Sequence, residues 1–212
     1  MKPKLIIFDL VGTLAFPFLK KSREEFFAFY KSLGINLRTK EEIEGFKKIF
    51  SRAIKTSENW MELGEKIINS VFKKENKEKA KKLSGFLKEN LNYQLFKDVE
   101  EILNLPFQKA ILTDAPHFLF DHLNLEKHFQ IFTPKETKFS KPDKRAFLFV
   151  LDFFKLNPEK VIMIGDEIER DLIPAKNLGM EAILIDRKGE SENVPFQTIN
   201  SLRELRKILM GP

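Results

Sequence analysis

Four places in this chain bring together residue types that can do chemistry. Asp9 closes the apolar run Leu5-Ile6-Ile7-Phe8 and is followed by Gly12. Thr113, with Asp114 after it, ends a second apolar run that begins at Lys109. Lys141-Pro142 opens a helical pattern, and Asp166 follows the run Val161 to Gly165, with Asp171 further along. A carboxylate can attack an electrophilic centre and later leave, dividing one difficult displacement into two easier ones. Additional carboxylates suit a hard divalent cation such as Mg²⁺. A hydroxyl and an ammonium can stabilise negative charge that develops during reaction. Taken alone, Asp9 reads equally well as a strand-end carboxylate capping a turn.

The elements that must position these residues follow from hydrophobic periodicity. Short continuous apolar runs are buried strands, and a fourth run, Ala182 to Ile185, ends in Asp186. Helical patterns fall between the strands at Phe118 to Leu123, Lys144 to Phe154 and Leu172 to Leu178; in the second, Phe147, Val150, Leu151 and Phe154 recur at i, i+3, i+4 and i+7. Strand alternating with helix predicts an α/β fold, a Rossmann-like, doubly wound parallel sheet. Ligands of such sheets bind beyond the C-terminal strand ends at the topological switch point. Asp9, Thr113 and Asp166 should therefore meet.

Between the first strand and the second lies a stretch that reads as helix throughout. Ser22 to Glu25 and Thr39 to Glu42 are S/T-x-x-E capping boxes, each followed by amphipathic periodicity. Two more helices are expected at Glu58 to Phe72 and Glu78 to Leu91, and Asn200 to Glu204 opens a last one to Leu209. The expected division is a core of residues 1–14 and 97–212 with a helical domain, 15–96, inserted after the first strand. The insertion holds 18 Lys and Arg against 11 Asp and Glu, a net of +7, so it carries the whole basic excess of a 212-residue chain whose net charge is +6. The Lys73 to Lys82 run contributes much of this and reads first as a solvated face.

Composition removes other classes. At 42% hydrophobic and 32% charged residues the chain can bury a core and is not low-complexity disorder. It has no cysteine, which excludes disulfides, Cys-ligated zinc and thiol nucleophiles. No run reaches the roughly 18 apolar residues of a membrane span, and Met1-Lys2-Pro3-Lys4 does not lead into a signal-peptide pattern, so the expected location is cytoplasmic. Twenty-two Phe against two Tyr and one Trp is a skewed aromatic choice, and the Lys- and Glu-rich, Cys-free composition is a profile found in thermophile chains. His117, His122 and His128 lack carboxylate or thiol partners at ligand spacing, and read as packing or surface residues. Phe16-Pro17-Phe18, just past the first strand, reads as core or hinge packing before it reads as the rim of a pocket.

Asp9-Leu10-Val11-Gly12-Thr13-Leu14 resembles the first motif, D-x-D-G-T-L, of the haloacid dehalogenase-like (HAD) hydrolase superfamily. Ile111-Leu112-Thr113-Asp114 resembles the second motif, Lys141-Pro142 the third, and Gly165-Asp166-Glu167-Ile168-Glu169-Arg170-Asp171 the fourth, G-D-x-x-x-x-D. The helical insertion is similar to the cap of cap-type-1 members, so the resemblance spans nearly the whole chain. It implies Asp9 as nucleophile with Thr113 and Lys141 as its catalytic partners. It further implies Mg²⁺ held by Asp9, the Val11 backbone carbonyl, Asp166 and Asp171, and Gly12, Thr13 and Asp114 on the substrate side. The implied activity is Mg²⁺-dependent phosphatase action on a small anionic, phosphorylated metabolite, with neither nucleic acid nor membrane as partner and no oligomeric state specified.

Val11 departs from the pattern. Most family phosphatases carry a second aspartate there as general acid and base, a function worth roughly 10²- to 10⁴-fold in rate. Asp114 and Glu167 are the nearest substitutes by sequence, although Asp114 follows Thr113 on a strand end and should face the other way. The alternatives are a slow phosphatase acting on good leaving groups, a 2-haloacid dehalogenase, a phosphonatase, or a member that binds phosphate without turnover. Dehalogenases also lack the second aspartate but typically lose the first carboxylate of the fourth motif, which this chain keeps as Asp166.

Overall fold

The computed structural model describes residues 3 to 210, so the outermost residues of the expected core lie outside it. In chain order, β1 (Leu5–Phe8) and β2 (Ala15–Leu19) precede helices α1 (Arg23–Ser32), α2 (Lys40–Thr56), α3 (Trp60–Phe72) and α4 (Lys77–Asn90) and strand β3 (Leu91–Leu95). There follow α5 (Glu100–Leu103), β4 (Gln108–Leu112), β5 (Gln130–Phe132), α6 (Pro134–Thr137) and α7 (Lys144–Phe154). The chain continues through β6 (Val161–Gly165), α8 (Ile173–Asn177), β7 (Glu181–Ile185), β8 (Gln197–Ile199) and α9 (Leu202–Met210). Two compact units result: one runs to Phe16 and includes Gln94–Ala115 and the chain from Leu123 onward; the other is Pro17–Tyr93 with Pro116–His122.

The first unit is a six-stranded sheet of order β5-β4-β1-β6-β7-β8, parallel at every pairing. From β1 the chain passes to β4 and β5 on one side and then to β6, β7 and β8 on the other. Strand order therefore reverses between β1 and β6, which puts the switch point just beyond Phe8 and Gly165. All four residues of β1 have zero accessibility, as a central strand covered on both faces must. One face, with Leu5, Ile7, Ala110, Leu112 and Met163, packs against Ala146, Phe147, Val150 and Leu151 of α7, which is the stripe that the i, i+3, i+4 spacing predicted. Burial of each such side chain contributes about 1.5–3 kcal/mol before the entropy of ordering is counted. Strands β5 and β8, three residues each, carry too short an apolar run to stand out in the sequence.

The second unit is built on α1 to α4. Both capping boxes form: Ser22 and Thr39 accept from the amides of Glu25 and Glu42, whose carboxylates return to the cap amides. Helices α3 and α4 start at Trp60 and Lys77 rather than at Glu58 and Glu78, because Asn59 and Asn76 cap them by accepting from Glu62 and Lys79 amides. Phe26, Tyr30, Phe46, Leu63, Ile67, Leu83 and Leu87 form their common core. Phe118 and Leu119 belong to that core too, with Trp60 edge-on to Phe118 at 5.0 Å. The apolar pattern predicts a helix over Phe118 to Leu123 within the sheet unit; the structure has two 3-10 turns there, His117–Leu119 and Asp121–Leu123. Three-residue turns after Pro116 aim their apolar side chains without needing helical periodicity. The expected helix at Leu172 to Leu178 likewise resolves into a π turn, Ile168–Leu172, followed by the short α8. Among the described residues, no helix is long and apolar enough to cross a membrane.

Candidate active site

Beyond β1 the backbone turns tightly. Gly12 has φ +90°, and its amide donates to the Ala15 carbonyl at 2.7 Å. A side chain at Gly12 would be strained by that φ and would also run into the Asp166 carboxylate. Gly165, at the end of β6, is bare for a similar reason: a Cβ there would overlap the Asp171 side chain. These two glycines let three carboxylates gather at the switch point. Asp9, Asp166 and Asp171 each offer an oxygen, and the three lie within 4.8 Å of one another.

One cation sits among them. Lys141 Nζ donates to Asp9 Oδ1 at 2.5 Å and to Asp171 Oδ1 at 2.6 Å, and only 4% of its side chain is accessible. Burial works against the ammonium, but the Asp9 and Asp171 carboxylates outweigh it and hold Lys141 above the ordinary lysine range. Asp171, 1% exposed, is pushed up by burial and by Asp9 against the pull of Lys141; the Glu167 amide donates to its second oxygen at 3.2 Å. Asp166 keeps accessible surface, yet the protein packed around its carboxylate and the Asp9 charge raise it to about 6. The Thr13 hydroxyl donates to it at 3.3 Å. An all-oxygen donor set with excess negative charge fits Mg²⁺, and the share of the upward push on Asp166 that comes from the Asp9 charge is repulsion that a divalent cation would relieve.

Thr113 is 2% exposed; its hydroxyl oxygen accepts from the Ala115 amide at 3.2 Å, which leaves the O–H to donate. Asp114, expected on the substrate side, has both oxygens engaged within the protein: one accepts from the Lys141 amide at 3.1 Å, the other from Arg170. Arg170 also reaches the Lys141 carbonyl at 3.3 Å and pairs with Glu167 at 3.2 Å. Asp114 and Arg170 thus clamp the backbone of Lys141 from both sides, and both sequence-level substitutes for a missing acid are ion-paired to one arginine. Val11 stands in a bridge with Ala15, its side chain devoid of any proton to give.

The sequence reading missed Arg187. It lies just past β7, donates to the carbonyls of Gly12 and Thr13 at 2.5–3.2 Å, and forms a two-pronged pair with buried Asp98 at 3.0 and 3.1 Å. Its guanidinium lies 3.7 Å over the Phe96 ring, which in turn packs 4.9 Å from Phe16. Asp98 also accepts from Ser201 and the Leu202 amide at the start of α9. Arg187 therefore anchors the turn after Asp9 to Asp98 and, through it, to the start of α9. The available signal was its position after a strand that ends, like β1 and β6, at the C-terminal edge. Of the histidines, His117 packs edge-on to Phe120 at 5.0 Å and His122 contacts the Tyr93 carbonyl at 2.9 Å; none joins the three clustered carboxylates.

Comparison with known proteins agrees with this geometry. A family model described as a haloacid dehalogenase-like hydrolase matches residues 3–179. A phosphoserine phosphatase of Thermus thermophilus is 29% identical over 60% of this chain and 57% of its own length, so the chain spans little more than half of that relative. A crystal structure of a HAD phosphatase from Thermococcus onnurineus superposes with a TM-score of 0.66 at 23% identity, covering 98% of both chains. A 2-haloacid dehalogenase from Pseudomonas syringae superposes with a TM-score of 0.70 at 20% identity over the same share of each. At these identities the two solved structures establish the fold and leave the choice between their chemistries to the site.

Proposed function

The chain belongs to the haloacid dehalogenase-like hydrolases, and from that premise we propose that it is a Mg²⁺-dependent phosphatase acting on a small phosphorylated metabolite through an aspartyl-phosphate. The observation that carries this reading is the convergence of Asp9, Asp166 and Asp171 within 4.8 Å. Displacement of halide from carbon makes no use of such a cluster, whereas an oxygen-bound divalent cation does. Asp9, Asp166, Asp171 and the Val11 carbonyl would hold Mg²⁺, which supplies positive charge against the repulsion between an anionic nucleophile and an anionic phosphoryl group.

The chain's own residues do the rest. Lys141 occupies Oδ1 of Asp9, which fixes the position of the carboxylate and leaves Oδ2 to attack phosphorus. As that bond forms, the bond from phosphorus to the leaving oxygen breaks and the electron pair departs with the oxygen. Thr113 O–H and the Lys141 ammonium receive charge on the phosphoryl oxygens. Water then attacks phosphorus, the bond to Asp9 breaks, and orthophosphate leaves with the carboxylate restored.

Val11 can neither protonate the leaving oxygen nor accept the proton of the attacking water, and Arg170 ties up Asp114 and Glu167. The substrates we propose are accordingly those whose leaving oxygen is a weak base, such as acyl or aryl phosphates. Phosphate release from a panel of both kinds with Mg²⁺ tests this, with Asp9→Asn as control. Activity indistinguishable from that control sinks the phosphatase, and tight beryllofluoride binding without turnover makes the protein a binder. Val11→Asp should raise turnover of alkyl phosphates by roughly 10²- to 10⁴-fold; an unchanged rate means that another group already acts as acid. A second reading, 2-haloacid dehalogenase, is favoured by Val11 itself, since halide leaves without a proton. Metal-independent chloride release from 2-chloropropionate would establish it.

A further inference from the structure

The helical unit contains a cavity of about 530 Å³ walled by α1, α2 and the end of α4, a volume within the ordinary range of small-molecule sites. On α1, Arg23, Phe26 and Tyr30 face it, and on α2, Phe46, Lys47 and Phe50. Arg23, Phe26 and Tyr30 are spaced i, i+3, i+7, and with Ile43, which also lines the cavity, the α2 set is spaced i, i+3, i+4, i+7, so each helix presents one continuous stripe to the cavity. The rings form a connected wall: Phe26 lies 6.1 Å from Tyr30, Tyr30 is 4.9 Å from Phe46, and Phe46 is 6.3 Å from Phe50.

Two features mark this wall as more than core packing. Tyr30 is only 6% exposed, yet its hydroxyl has no hydrogen-bond partner among the described residues. Among the described residues no fully sealed side-chain polar atom lacks a partner, so this hydroxyl keeps a little surface, and Tyr30 is one of the residues that line the cavity. Burial holds the phenol well above its ordinary pKa, which makes it a neutral donor. The second feature is charge. The only ionisable groups at the cavity besides Tyr30 are cationic, Arg23 and Lys47, and no carboxylate lines it among the described residues. Arg23 leans on Phe27 at 5.1 Å; Lys47 pairs with Glu44 on the surface, a contact that solvent screens and a ligand can replace.

We propose that this cavity binds a medium-chain fatty carboxylate, with its hydrocarbon among the phenylalanines, its head at the Arg23 and Lys47 cations and the Tyr30 hydroxyl as hydrogen-bond donor. A neutral hydrocarbon would leave both cations and the hydroxyl unused.

Calorimetric titration of the whole protein with decanoate, below micelle-forming concentrations, tests the site. The expected result is one saturable site, at least tenfold tighter for decanoate than for decanol or butyrate. Arg23→Glu and Lys47→Glu should each weaken binding by tenfold or more, and Tyr30→Phe by three- to tenfold. Ser51→Trp, at an exposed position on the lining, should block the cavity without disturbing the core. Asp9→Asn should leave decanoate binding unchanged, which separates this site from the carboxylate cluster. Absence of saturation, binding indifferent to the cavity variants while circular dichroism shows them folded, or a dimer that decanoate dissociates would each overturn the proposal.

Discussion

The two units of this protein handle charge in opposite ways. Residues 15–96, which make up nearly all of the helical unit, carry 18 cationic side chains, and the ion pairs formed there, such as Lys82–Glu78 and Lys47–Glu44, have both partners more than half exposed. The rest of the chain is nearly neutral overall, yet it holds buried Asp9, Asp98, Lys141 and Asp171. Net charge therefore points away from the candidate chemistry. The lysines of the helical unit are solvated, while one ammonium in the sheet unit, stripped of water and set between two carboxylates, governs the state of the site. The buried group matters more because low dielectric strengthens every interaction it makes and punishes every one it loses.

That contrast can be broken at several points. Lys141→Met should have the largest effect, because it leaves Asp9 and Asp171 buried without their counter-charge: a loss of about 3–5 kcal/mol in urea unfolding without metal, shrinking when Mg²⁺ is added. An unchanged midpoint would mean that the carboxylates shed their charge at no cost. Arg187→Gln comes next, at about 3 kcal/mol, since Asp98 and the Gly12 and Thr13 carbonyls lose one shared partner. Turnover should fall along with stability; a loss of stability alone would reduce Arg187 to a structural brace.

The pH dependence of the metal-free protein sharpens the same contrast. Asp166 has a higher pKa folded, about 6, than its ordinary 3.8. The fold thus binds its proton more tightly, and the associated stability is fully present below about pH 4 and lost as pH rises through about 6. Relative to the wild type, Asp166→Asn should therefore melt higher at pH 7.5 than at pH 4.5, with Mg²⁺ reducing the gap; a gap independent of pH would remove the crowding argument. The smallest effect is expected in the helical unit, where Lys82→Ala should shift the denaturation midpoint by no more than its experimental error, because its partner Glu78 is fully solvated.

Much of the frame was legible because it is local. Apolar runs marked β1, β4, β6 and β7; capping boxes marked α1 and α2; and the carboxylates after the first and third of those strands, Asp9 and Asp166, are among the three that converge. What remained hidden depends on partners far apart in the chain. The Asp114–Arg170 clamp joins residues 56 apart, and Arg187 reaches Thr13 across 174. No periodicity encodes such a pairing. The same holds for Phe118 and Leu119, whose place in the helical unit follows from which apolar wall lies within reach of a three-residue turn.

By itself the sequence determined the alternation of strand and helix, the strand ends on which the carboxylates stand, and a valine, with no proton to give, two residues after Asp9, since these depend on residue type and short spacing alone. Only the tertiary structure decided which charges are buried together, which are neutralised by Lys141, Arg170 and Arg187, and where Tyr30 is left facing a cavity. Those outcomes depend on desolvation and on distances of a few ångströms between residues remote in sequence, which exist only once the chain has closed on itself.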